Sequence, residues 1–183
     1  MRIHLLFKPF YEKFIEEKIA EISYRDFCFF YIQMLYGSCD RNSILIDIFT
    51  DNEFFETFKE LYPYAGWGYR VVGLNKEDVK RLVMGETICK SSLKEYHRDN
   101  RQEVQGYISF SKYEYGVDNF LKLVNRRFFE IRIKQYNDAI DVDRLCFDFC
   151  KAFNEEPLEC QRMKFTSEIL MKIRDDEHFE IIK

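Results

Sequence analysis

The sequence predicts an α+β fold, and three observations carry that prediction. The first third of the chain has apolar residues at helical spacing. From Tyr64 onward, strand-like runs such as "GYRVV", "YISFS" and "EIRIKQ" alternate with helix-like ones. The two textures change over at Pro63, where a helix cannot continue. Strands and helices that follow a helical block, rather than alternating strictly from the start, indicate α+β. Residues 1–62 are expected to form a helical N-terminal region packed on a core of residues 63–183, the whole making one compact domain.

Each element has its own signal. "YEKFIEEKIAEI" places Phe14, Ile15, Ile19 and Ile22 near helical spacing. "YRDFCFFYIQMLYG" continues with a broad apolar face and meets Gly37, a residue suited to the C′ position. "SILIDIF" alternates like a strand but sits among helices. "DNEFFETFKELYP" reads as a helix stopped by Pro63. "YAGWGYRVVGL" reads as a strand through Arg70. "NKEDVKRLVMGE" has Asn75 to cap a helix, acids in its first turn and Gly85 at its end. "KSSLKEYHRDNRQE" has no period and reads as a polar loop or surface helix.

The rest follows the same reasoning. "VQGYISFS" is a strand ending in two hydroxyls. "YGVDNFLKLV" is a helix with Val117, Phe120, Leu121 and Val124 on one side. "RRFFEIRIKQ" alternates as a half-buried strand, and "DVDRLCFDFCKAF" is a helix. "EEPLECQRMKF" reads as a solvated turn around Pro157. "FTSEILMKI" is expected as a strand with Phe165, Ser167, Ile169, Met171 and Ile173 on one face, and Glu168 and Leu170 on the other. "HFEIIK" closes the chain as a strand.

Composition narrows the function classes. The net charge of −4 and the lack of a basic tract argue against tight non-specific nucleic-acid binding, although Arg98 and Arg101 form a local basic stretch. No apolar run reaches the ~20 residues that a membrane span requires, so no membrane association is expected. "MRIHLLFKPFYEKF" turns polar within a few residues and lacks the apolar stretch of a secretory signal. The six cysteines, Cys28, Cys39, Cys89, Cys146, Cys150 and Cys160, are therefore expected as reduced thiols in a cytoplasmic protein. Cys146 and Cys150 share a helical face, but no second pair with ligand spacing accompanies them and His4, His97 and His178 are scattered. No metal is expected.

Three residues fall at strand positions in the second part of the chain: Arg70 in "GYRVV", Ser109 with Ser111 in "YISFS", and Glu168 in "TSEILM". A carboxylate inside an apolar strand calls for a partner, because burying it alone is costly. Each residue also has a plain reading: an ion-paired surface arginine, serines closing a strand, a glutamate on a solvent face.

Taken in order, the three resemble the mono-ADP-ribosyltransferases of the arginine-serine-glutamate class. That family has a strand with an aromatic-Arg pair, a strand ending Ser-x-Ser and a strand bearing Glu. Here Ser109 follows Arg70 by 39 residues and Glu168 follows Ser109 by 59. The helix after the serines also resembles the family's, and the resemblance covers roughly residues 60–183. It implies a split β-sheet core and NAD as substrate. It implies that Glu168, Ser109 and Arg70 are catalytic, with Glu168 holding the nicotinamide ribose, Ser109 fixing the glutamate's rotamer and Arg70 gripping the pyrophosphate. Val71 would meet the nicotinamide amide through its backbone. Phe110, Tyr113 and Tyr115 are candidates to stack on the nicotinamide ring, and Ser111 supports the strand end.

The pattern also departs from the family. Val71 stands where a glycine usually follows the arginine, and Phe110 where threonine is commoner. Thr166 stands where arginine-modifying members carry the first Glu of Glu-x-Glu. The implied acceptor is a macromolecule, a protein or nucleic acid of a host cell, and the implied role is that of a phage or bacterial effector or toxin-like enzyme. A composition rich in Phe, Ile and Lys and poor in Ala suits a small AT-rich genome. The rival expectation is an inactive protein of the same fold that blocks a host complex by occupancy.

Overall fold

The structure is a computed structural model that describes residues 2–16, 21–36, 52–73, 77, 107–124, 130–172 and 179–182. The expectations for "SILIDIF", for "KSSLKEYHRDNRQE" and, Glu77 aside, for "NKEDVKRLVMGE" fall outside these residues. The element order is α1 (Arg2–Glu16), α2 (Tyr24–Tyr36), α3 (Asn52–Leu61), β1 (Pro63–Gly73), β2 (Tyr107–Ser111), α4 (Glu114–Val124), β3 (Glu130–Asp141), α5 (Val142–Phe153), α6 (Leu158–Phe165), β4 (Glu168–Lys172) and β5 (Phe179–Ile182). The mixture is α+β.

Contacts divide the chain into two compact units: Met1–Tyr64 with Ile140–Lys164, and Ala65–Ala139 with Phe165–Lys183. The chain first changes unit close to the expected boundary at 62/63. Residues 140–164, expected within the core, group instead with the N-terminal helices. The reason is the apolar face of α5, where Val142, Leu145, Cys146 and Phe149 are buried and the helix packs against α1.

The first unit is built on aromatic rings. α1 buries Ile3, Leu6, Phe7, Phe10 and Phe14. Phe54 of α3 lies 4.7 Å from Phe10 and 4.5 Å from Tyr31 between ring centroids. Such tilted and edge-on pairs add to simple area burial. Two caps set helix starts. Ser23 Oγ accepts from the Asp26 amide at 3.1 Å and donates to the Asp26 carboxylate at 2.6 Å, fixing α2. The Asp141 side chain accepts from the Arg144 amide at 3.0 Å and fixes α5, which ends at Asn154 in the left-handed region.

Three local expectations change. α1 starts at Arg2, ahead of the pattern seen from Tyr11, and Ile22 lies outside any helix. "PLECQRMKF" is not a turn: Leu158–Phe165 is helical, with Pro157 just before its first residue, where a missing N–H costs nothing. The strand expected over "FTSEILMKI" begins only at Glu168. Phe165 ends α6, and Thr166 and Ser167 form a turn.

The second unit carries the sheet, in the order β1-β2-β4-β3-β5, with β1 also pairing β3. β2 and β4 are antiparallel neighbours over five pairs, from Tyr107↔Lys172 to Ser111↔Glu168. Phe110, Ile169 and Met171 are buried on one side of this pair. α4 packs against β2. Its Val117 is buried, but Phe120, expected on the same apolar side, is 43% exposed.

Candidate active site

Register decides what Ser109 and Glu168 can do. Ser111 lies directly across from Glu168, and Ser109 from Leu170. Alternation then puts Ser109, Ser111, Glu168 and Leu170 on one side of the sheet. Ser109 and Glu168 are diagonal neighbours there, close enough for side chains to meet. Ser109 Oγ donates to Glu168 Oε1 at 2.6 Å. Glu168 is only 6% exposed. Burial raises its carboxyl to about 7, while the Ser109 bond and the Arg70 charge pull the other way.

Arg70 joins this pair by a different route. The register places Tyr69, not Arg70, across from Ser111. Alternation starts the Arg70 side chain on the side of Phe110 and Met171, and the guanidinium carbon lies 5.8 Å from the Phe110 ring centroid. From there Nη1 donates to the Ser109 carbonyl at 2.5 Å. Nε is enclosed and has no hydrogen-bond partner. Desolvation lowers the guanidinium to about 10, against the attraction of Glu168.

The other candidates are dispersed. Val71 is half-buried on β1. Phe110 is 3% exposed and lies on the far side of the sheet from Glu168, beneath Arg70. Tyr113 and Tyr115 stand at the start of α4 with rings stacked on one another, centroids 5.1 Å apart and 14° between planes. Both are exposed, so of the three aromatic candidates these two present rings to solvent. Ser111 is buried against α4, where Gly116 closes over it: a Cβ at that glycine would stand 2.7 Å from Ser111 Oγ and collide with the Thr166 carbonyl oxygen. The serine thus marks the contact between strand end and helix. Thr166, in the place of an acceptor-activating carboxylate, is buried and offers no carboxyl.

Sequence reading missed the residues that hold the turn before Glu168. Asn119 Nδ2 donates to the Phe165 carbonyl at 2.8 Å. The Lys112 amide donates to the Ser167 carbonyl at 2.9 Å, and the hydroxyls of Tyr115 and Ser167 meet at 3.5 Å. One signal was available: Gly116 inside an otherwise good helix marks a close approach.

Among the described residues no cluster of three or more His, Cys, Asp or Glu could hold a metal ion, and no helix is long and apolar enough to cross a membrane. The four described cysteines are free thiols. Comparison with protein-family models, with curated proteins and with solved structures finds no match to this chain.

Proposed function

We propose that this chain is a mono-ADP-ribosyltransferase with a core of that family's kind, transferring ADP-ribose from NAD to a macromolecular acceptor and releasing nicotinamide. The observation that carries the reading is the hydrogen bond from Ser109 to the buried Glu168, with Arg70 fastened to the carbonyl of the same serine. In the reaction, the bond between the ribose C1′ and the nicotinamide nitrogen breaks, and its electron pair leaves with nicotinamide. The acceptor's nucleophile forms the new bond to C1′ and loses its proton. Positive charge builds on the ribose in between.

Glu168, when ionised, is the group that would stabilise that charge. Ser109 holds the carboxylate in one rotamer, so little reorganisation is needed. Arg70, fastened through Nη1 to the Ser109 carbonyl, would supply its positive charge toward the pyrophosphate of NAD. An exposed face of the Tyr113–Tyr115 pair suits a planar ring. With a buried threonine at 166, an arginine acceptor is disfavoured, and the target is another group on a host protein or nucleic acid. The setting that fits is a phage or bacterial effector at work in the cytoplasm.

One observation favours a second reading. A glutamate with 6% exposure, held near half-protonation at neutral pH, also suits a protein that binds without turnover. Nicotinamide release from NAD, measured with and without cell lysate, separates the two. Release by the wild type that disappears in Glu168→Gln supports the transferase. No release by the wild type even with lysate, together with capture of a host complex that tolerates Glu168→Gln, overturns it in favour of binding.

A further inference from the structure

Four contacts converge on the three residues that precede Glu168, and all come from residues 112–119. The Asn119 amide holds the Phe165 carbonyl at 2.8 Å, and the Lys112 amide holds the Ser167 carbonyl at 2.9 Å. Gly116 lies so close to the Thr166 carbonyl that no side chain fits between them. The Tyr115 hydroxyl reaches Ser167 Oγ at 3.5 Å. Ser167 itself sits at φ 51°, a conformation a serine rarely adopts unless its surroundings impose it. The next residue in the chain is Glu168.

We propose that Asn119 and Tyr115 are positioning residues, which act through the 165–167 turn to keep the Glu168 carboxylate buried on Ser109. This deepens the transferase reading and rests on it for its catalytic meaning. The geometry supports the role because the turn sets where β4 begins. A turn that let β4 slip by one residue against β2 would turn every side chain of the strand to the opposite face. That shift would carry Glu168 away from Ser109 and onto the side of Phe110. The contacts are also short-range in sequence from the serines: the helix that holds the turn begins three residues after Ser111. One segment, residues 109–119, therefore supplies both the hydroxyl that receives the glutamate and the groups that aim it.

The groups that face the carboxyl are the Ser109 hydroxyl and the Arg70 charge, and both residues are retained in substitutions at 115 or 119. The test is the titration of the Glu168 carboxyl, followed by carbon-13 NMR in the full chain, for Asn119→Ala and for the milder Tyr115→Phe, which keeps the ring. Burial is the main cause that raises this group, so water admitted by a loosened turn outweighs the weakened Ser109 bond and moves its midpoint down from about 7, further for Asn119→Ala than for Tyr115→Phe. A midpoint that stays put in both variants, whatever happens to their melting temperature, overturns the proposal and leaves these contacts as packing alone. Should Asn119→Ala not fold, Tyr115→Phe decides alone. Nicotinamide release provides the second readout: kcat falls while KM for NAD holds. Absence of release from the wild type would sink the transferase reading, yet the titration would still decide the positioning role.

Discussion

Ser109 and Glu168 are 59 residues apart in the chain and 2.6 Å apart across the β2–β4 pair. The contact exists because the two strands are antiparallel neighbours in one register, with Ser111 opposite Glu168. A single acid enclosed in this way couples its protonation to the stability of the fold.

That coupling has a definite sign. The Glu168 carboxyl rises from an ordinary 4.5 to about 7 on folding. The folded chain thus keeps a proton that the unfolded chain gives up, and the stability this contributes is complete below pH 4.5 and lost as pH climbs through 7. The loss is up to about 3 kcal/mol. Glu168→Gln cannot titrate, so its stability relative to wild type should improve between about pH 4.5 and 7 and level off above that. Denaturant melts of both proteins across that range check it, and parallel curves would contradict the buried acid.

The Ser109 hydroxyl lowers the Glu168 titration by holding the charged form. Ser109→Ala should therefore push the midpoint above 7. If Glu168 acts as a carboxylate, the rising limb of the nicotinamide-release profile should move to higher pH by the same amount. A pH series on wild type and variant measures both.

Gly116→Ala runs against the usual rule for helices. Alanine normally stabilises a helix interior by nearly 1 kcal/mol over glycine. Here the added methyl meets the Thr166 backbone oxygen, which cannot swing aside, and Ser111 Cβ, 2.9 Å away. Net destabilisation of about 1–3 kcal/mol is expected from the overpacking. Chemical denaturation gives the value.

Phe54→Ala should cost about 3–5 kcal/mol, as expected for emptying a large buried ring site. Phe54 is fully buried and touches rings from α1 and α2 as well as its own helix. Asp141→Ala, which removes the cap of α5, should cost about 1 kcal/mol. Melting curves for the two variants should preserve that ranking.

Much of this protein was legible in its sequence. Periodicity located α2, α3, α4 and α5 closely, because each buries one face and its apolar residues must recur with the period of the element, and strand-like runs located β1, β2 and β5. The charged or hydroxyl residues interrupting apolar runs, Ser109 and Glu168, were visible for the same reason: a polar group in such a run needs a partner. What the sequence left undecided depended on long-range pairing. It could not show that β4 starts at Glu168 and not at Phe165, since the helical end of α6 and the turn at Thr166–Ser167 are imposed by Asn119, Lys112 and Gly116. Nor could it place 140–164 with the first helices, because the face of α5 fits either kind of neighbour until α1 covers it. Local sequence determined which elements form and where polar residues interrupt their apolar runs. The tertiary structure alone decided that Ser109 meets Glu168 and that Arg70 reaches them through a carbonyl, because strand register and neighbour choice are fixed by contacts between residues far apart in the chain.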